Sequence, residues 1–272
     1  MPNANVNGLD LYYEVHGEGE PLILIRGFGS NADHWYAQVP AFSTKYRTIT
    51  FDNRGMARSD ASEGAYTISM MAADTAGLMD AIGISAAHVL GLSMGGMIAQ
   101  SLAIEYPGKV RALILACTHC GGHHAVQASD EVREKLAKYA FSAAPEMAVD
   151  AMTVLFAEKT LDESPELGRE YVNVSRRFRP TPDILMAQLE AVQGHDAWAQ
   201  LPDIQAPTLV LTGKEDILIP PENAEILAER IPNARLEVIE GGGHQFLIEQ
   251  PEAFNRAVLD FLTRLDESTK DA

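Results

Sequence analysis

Short runs of apolar, often β-branched residues constrain this chain more than any other feature: PLILIRG at 21–27, RTITFD at 47–52, AHVLGLS at 87–93, VRALILA at 110–116, PTLVLTG at 207–213 and ARLEVIE at 234–240. A strand with one wet face alternates apolar and polar residues, whereas runs read as apolar throughout belong to strands covered on both faces, as in parallel sheets. Helical spacing fills the intervals. Ile68, Met71, Leu78, Met79 and Ile82 precede the third run; Met97, Ile98, Ser101, Leu102 and Ile104 follow it; Phe254, Val258, Phe261 and Leu262 lie near the end. Strand alternating with helix predicts an α/β fold with a doubly wound, mostly parallel sheet. The opening VNGLDLYYEVHG alternates and holds an Asn-Gly pair, which predicts an antiparallel hairpin at one sheet edge.

Residues 119–200 differ, with amphipathic stretches such as SDEVREKLAKYAF and PDILMAQLEAV and no strand pattern. So long a connection needs structure of its own. The expected organisation is therefore a core of residues 1–118 and 201–272 with an inserted helical lid over 119–200.

Charge and cysteine content narrow the partners. The formal net charge of -17 repels phosphate backbones and anionic bilayers, so neither nucleic acid nor membrane is expected as a partner. No basic-then-apolar leader opens the chain and no run approaches the roughly 18 apolar residues that span a bilayer. Cys117 and Cys120 are too few for a disulfide scaffold, in keeping with a reducing cytoplasm. Homo-oligomerisation is left open.

The run at 87–93 ends in Gly91-Leu92-Ser93-Met94-Gly95. A nucleophile held between a strand end and a helix start needs a tight turn in which neighbouring side chains would clash, and G-x-S-x-G removes them. Ser93 is then presented above the sheet at a helix amino end, where free N–H groups favour developing negative charge. A serine hydroxyl is a weak nucleophile without an imidazole base, itself oriented by a carboxylate. For this elbow the chain order is Ser, Asp or Glu, then His. Asp216 lies beyond the run at 207–213, with Glu215 beside it as a second candidate, and His244 follows three glycines beyond the run at 234–240. Ser93, Asp216 and His244 are the expected catalytic residues. His16, His34, His88 and His195 read as structural, with His34 also placed to line a pocket.

With these motifs the chain resembles the α/β-hydrolase fold superfamily over about residues 6–265, most closely the 3-oxoadipate enol-lactonases, cofactor-free perhydrolase-type esterases and similar carboxylic ester hydrolases. IRGFGSNADHW resembles the loop after the third strand, and FDNRGMARSD the D-x-R-G-x-G-x-S turn, whose Asp52, Arg54 and Ser59 read as turn-bracing. The resemblance implies an oxyanion hole made by the backbone N–H groups of Phe28 and Met94, and no cofactor. Two positions depart from the family: Arg26 where His is usual, and Ala57 where Gly is usual. Arg26 reads as a brace paired with a neighbouring acid, or as a holder of a substrate carboxylate.

The activity expected is that of a serine hydrolase cleaving a small carboxylic ester or lactone through an acyl-enzyme. Hydrolysis of a carbon–carbon bond, perhydrolysis, and a receptor of the same fold remain open, since pocket shape decides among them. Dehalogenase and epoxide hydrolase branches are excluded, because both need a carboxylate where Ser93 stands. Arg26, Phe28, Met147, Phe178 and Trp198 are candidate substrate contacts, and Met152, Phe156, Met186 and Leu189 read as lid packing. Arg176, Arg177 and Arg179 read as a solvated basic patch, or as recognition of an acidic ester if one turns inward. The run CTHCGGHH at 117–124 suggests zinc, but it has no paired ligand segment elsewhere, so no metal is expected.

Overall fold

A computed structural model describes residues 2–141 and 151–270. Eight strands form one sheet: β1 Asn3–Val6, β2 Leu9–His16, β3 Pro21–Ile25, β4 Arg47–Phe51, β5 Ala87–Leu92, β6 Val110–Ala116, β7 Thr208–Gly213 and β8 Ala234–Ile239, in the order β1-β2-β4-β3-β5-β6-β7-β8. β1 pairs antiparallel with β2, and β2 with β4; every pairing from β4 to β8 is parallel. The hairpin thus sits at one edge as expected. Its turn residues Asn7 and Gly8 have φ of 52° and 82°, the left-handed pair that matches the twist of adjoining strands.

Alternate residues of the central strands enter two separate cores. Ile23, Ile25, Val89, Leu113 and Leu115 point to one face, and Leu22, Leu24, Leu90, Leu92 and Ile114 to the other. That is why these runs show no polar alternation: both faces are dry. Each fully buried Leu or Ile contributes about 1.5–3 kcal/mol. β8 departs from the pattern. It is the far edge strand, and its Arg235, Leu236 and Glu237 are exposed, because nothing pairs with its outer side within the sheet.

Helices α1 (Ile68–Ala81) and α2 (Met94–Glu105) pack together over the first face, on the residues that the helical spacing predicts. Thr67 caps α1 by accepting a hydrogen bond from the Met70 N–H. The connection between β6 and β7 carries α3 (Asp130–Phe141), α4 (Glu158–Glu163), α5 (Pro165–Arg177) and α6 (Pro182–Gln193). α7 (Glu222–Arg230) and α8 (Pro251–Lys270) complete the layers. Phe254, Val258 and Leu262 of α8 are buried against the second face. Among the described residues, no helix is long and apolar enough to cross a membrane.

Candidate active site

Ser93 stands between the last residue of β5 and the first of α2, with φ 57° and ψ -121°. A side chain held at positive φ is strained, and the fold holds it there by hydrogen bonds on both sides. The Ser93 N–H donates to the Ala116 carbonyl at 2.9 Å, while the Ser93 carbonyl accepts from Gly96 N–H at 2.8 Å and from the Thr118 hydroxyl at 2.7 Å. The elbow tolerates no flanking side chains. A Cβ on Gly91 would lie 2.2 Å from the Gly95 oxygen, and one on Gly95 would lie 2.1 Å from the Ile25 oxygen.

Parallel strands bring their carboxyl ends to one edge, and the loops after β7 and β8 meet there. His244 Nδ1 lies 2.8 Å from Asp216 Oδ2, with both side chains buried. A carboxylate only accepts, so Nδ1 carries a proton in either charge state, and in the neutral imidazole Nε2 keeps its lone pair. The other Asp216 oxygen accepts from the N–H groups of Leu218 and Ile219 at 2.9 and 2.8 Å, which fixes the carboxylate. Glu215, the alternative partner, is exposed. Burial disfavours the imidazolium, but the Asp216 carboxylate outweighs it and raises the His244 pKa well above 6.5.

Cys117 links this pair to the elbow. It follows Ala116, the acceptor of the Ser93 N–H, and its Sγ lies 3.3 Å from the His244 carbonyl oxygen. One Cys117, one Asp216 and one His244 atom lie within 4.8 Å of one another. Burial pushes the Cys117 thiol pKa up, so it stays protonated and serves as packing and donor. The rest of the CTHCGGHH run turns elsewhere. His119 Nδ1 accepts from the Gly121 N–H, Cys120 Sγ lies against the Gly121 oxygen, and the His123 and His124 rings meet at a tilt of 41°.

The loop after β3 closes on the serine. A Cβ on Gly27 would come within 3.0 Å of Ser93 Cβ and 3.5 Å of the Met94 nitrogen, so Phe28 begins its loop beside both. As the first residue of α2, Met94 has no helical carbonyl one turn back for its N–H. Asn53 Nδ2 donates to the Arg26 carbonyl at 3.0 Å. Asp52, Arg54 and Ser59 brace the neighbouring turn: Asp52 accepts from the Ala32 N–H and the Arg58 guanidinium, Arg54 forks onto Asp74, and the Ser59 hydroxyl donates to the Asp52 carbonyl.

The expectation that Arg26 pairs with an acid is overturned. Its guanidinium reaches Gln245 Oε1 at 3.3 Å and lies 4.8 Å from the Trp35 ring centre, with no carboxylate in ion-pair range among the described residues. Phe178 lies under Arg58 at 4.9 Å, and Trp198 stacks on His124 at 3.8 Å with Arg230 at 4.5 Å, so both rings have commitments of their own. Met147 lies outside the described residues. Arg177 faces Asp33 at 3.9 Å, and Arg176 lines an open groove with Met152, Phe156, Val172 and Glu215. His34 is fully buried and joins the loop to α5 through Ser175 at 3.0 Å.

Two residues that sequence reasoning missed secure these loops. Gln188 of α6, fully buried, accepts from the Gly29 N–H at 2.9 Å. Glu249 accepts from the Gly243 and Ala157 N–H groups and the Thr160 hydroxyl, tying the His244 loop to α4. Neither carries a motif; Gln188 falls on the apolar face of a helical pattern, which is its only sequence signal.

The family model for the α/β-hydrolase fold matches residues 20–251. The chain belongs to that family. Among its relatives, a RutD protein of Azorhizobium caulinodans, named as a carbamate hydrolase, is 32% identical over 269 residues, covering 98% of this chain and 100% of its own. Two solved α/β-hydrolase structures superpose over nearly the whole length. A thermophilic esterase of Thermogutta terrifontis gives a TM-score of 0.84 at 28% identity, covering 97% of this chain and 98% of its own. The enol-lactonase of Burkholderia xenovorans gives 0.83 at 28%, covering 96% and 100%. This α/β-hydrolase is accordingly a hydrolytic enzyme.

Proposed function

We propose that this hydrolase cleaves a small carboxylic ester or lactone through an acyl-enzyme on Ser93. One observation carries the reading: the buried His244–Asp216 pair, 2.8 Å apart, stands at the same sheet edge as a serine held at φ 57°. Ser93 Oγ attacks the acyl carbon while His244 Nε2 takes its proton, and the Phe28 and Met94 N–H groups receive the oxygen as it becomes anionic. One such donor is worth about 3 kcal/mol in the transition state. The alkoxide leaves with the proton from His244; His244 then deprotonates water, which attacks the acyl carbon and restores Ser93. Asp216 keeps the imidazole in the required tautomer throughout.

The helices between β6 and β7 act as the lid that selects the acyl and alcohol groups, since α6 and α4 reach the oxyanion loop and the histidine loop directly. The relative named for carbamate hydrolysis widens the acyl groups worth assaying, because a carbamate carbonyl is open to the same attack. The test compares hydrolysis of p-nitrophenyl acetate and butyrate by the wild type and Ser93→Ala. Loss of turnover in the variant supports the reading, and equal rates end it.

A further inference from the structure

β5 and β6 lie side by side, and each runs into a non-glycine residue with left-handed φ: Ser93 at 57° and Cys117 at 37°. A side chain in that region is strained and persists only where its surroundings fix it. Ser93 is the proposed nucleophile; at Cys117 the strain sets a thiol against the His244 loop. The backbone there is pinned to both neighbouring strands. The Ala116 carbonyl receives the Ser93 N–H, and the Cys117 N–H donates to the Leu211 carbonyl of β7, each at 2.9 Å.

From this pinned point two adjacent side chains reach both partners of the proton transfer. The Cys117 thiol donates to the His244 carbonyl at 3.3 Å, and the Thr118 hydroxyl donates to the Ser93 carbonyl at 2.7 Å. The Ser93 carbonyl already accepts from the Gly96 and Met97 N–H groups at 2.8 and 3.3 Å, so the Thr118 bond fixes a position more than it satisfies an orphan. Gly96 makes room for it, since a Cβ there would lie 2.6 Å from the Thr118 side chain. Other anchors of the His244 loop lead away from the serine. The Gly242 carbonyl accepts from the Glu215 N–H, the Gly243 N–H donates to Glu249, and the Gln245 N–H donates to the Leu155 carbonyl.

We propose that Cys117 and Thr118 are positioning residues for hydrolysis: a two-pronged clamp, rigid on the sheet, that sets the separation of the His244 imidazole from the Ser93 hydroxyl by holding the carbonyl of each. The clamp needs no change of charge, because burial keeps the thiol protonated. This rests on the acyl-enzyme reading and adds the device that aligns it.

The experiment measures p-nitrophenyl butyrate turnover and, beside it, the rate at which a fluorophosphonate labels Ser93, followed by mass spectrometry. Cys117→Ala and Thr118→Val each remove one donor, and the misaligned base is expected to lower kcat and the labelling rate about tenfold with KM nearly unchanged. Cys117→Ser and Thr118→Ser keep a hydroxyl donor and are expected to recover most of the loss. The prongs act in series, so the double variant Cys117→Ala/Thr118→Val should lose about as much as either single one. A loss equal to the product of the two marks independent packing effects and overturns the clamp. So does an unchanged kcat in either single variant, a rise in KM that accounts for the loss, or failure of the two serine variants to recover it. Should Cys117→Ala fail to fold, Cys117→Gly, which suits a left-handed φ and also lacks the thiol, is expected to show the same loss. Wild-type protein that neither turns over ester nor labels at Ser93 ends the acyl-enzyme reading and the clamp with it. Labelling that is equal in the wild type, Cys117→Ala and Thr118→Val ends the clamp alone.

Discussion

The side-chain oxygen of Gln188, on α6, accepts a hydrogen bond from the Gly29 N–H at 2.9 Å. One residue of the inserted helices thereby holds the loop that begins beside Ser93, whose Phe28 amide is the oxyanion donor of the proposed mechanism. Gln188→Leu removes the acceptor and leaves the Gly29 N–H unpaired. Because the donor is displaced and not deleted, the expected loss in kcat is about tenfold, less than the 100-fold or more of a missing oxyanion donor. KM for small esters should change little. Steady-state kinetics checks this, and an unchanged kcat would remove Gln188 from the site.

Asp216 raises the His244 pKa well above 6.5, so the basic, neutral imidazole gains population as pH rises. Activity of the free enzyme should therefore climb along an acid limb above pH 6.5 and level off. Asp216→Asn takes away the carboxylate, which shifts that limb to lower pH and cuts the plateau by about 1,000- to 10,000-fold. Profiles of kcat/KM against pH for both proteins decide it; a limb that does not move argues that another group sets it.

His119 and His195 are buried, and burial depresses each pKa to about 4. The unfolded chain, with ordinary histidines near 6.5, binds more protons than the folded one between those values, so stability falls as pH drops through that window. Tm is expected to decline from pH 7 to pH 5, and His195→Gln should flatten the decline. Differential scanning calorimetry across the range is the measurement, and an equally steep slope in the variant would rule out His195 as a source.

Ala57 has φ 46°, a left-handed conformation that costs an L-residue with a Cβ about 1 kcal/mol. Ala57→Gly removes that strain and is expected to stabilise the protein by about 0.5 kcal/mol, the larger flexibility of glycine in the unfolded chain offsetting the rest of the gain. Urea unfolding checks the sign; a lower midpoint would mean the Ala57 methyl packs usefully.

Glu249 accepts three hydrogen bonds that join the His244 loop to residues 157 and 160. Glu249→Ala strands those donors, each at about 1–3 kcal/mol, so a loss of several kcal/mol in stability is expected alongside slower turnover. Chemical denaturation measures the first and ester hydrolysis the second.

Much of this enzyme was legible in local pattern. Strand and helix reveal themselves through periodicity, so Leu22, Ile23, Leu24 and Ile25 mark a strand dry on both faces. Asn7-Gly8 announced its turn, and Gly91 and Gly95 announced a crowded elbow around Ser93, because in each case the constraint is steric and lies within a few residues. Order along the chain then placed Asp216 and His244 at the strand ends, where parallel pairing gathers loops at one edge.

Contacts between distant segments left no such trace. Gln188 with Gly29 and Glu249 with Ala157 depend on which face of a helix or loop turns inward after folding, and composition is blind to that. Arg26 shows the difference most clearly. Its residue type suggested an ion pair, yet partnership is a property of three-dimensional neighbours, and folding surrounded this guanidinium with an indole, an amide and two phenols, with no carboxylate in ion-pair range among the described residues. Periodicity and sterics act along the chain; pairing of buried charge is settled across it.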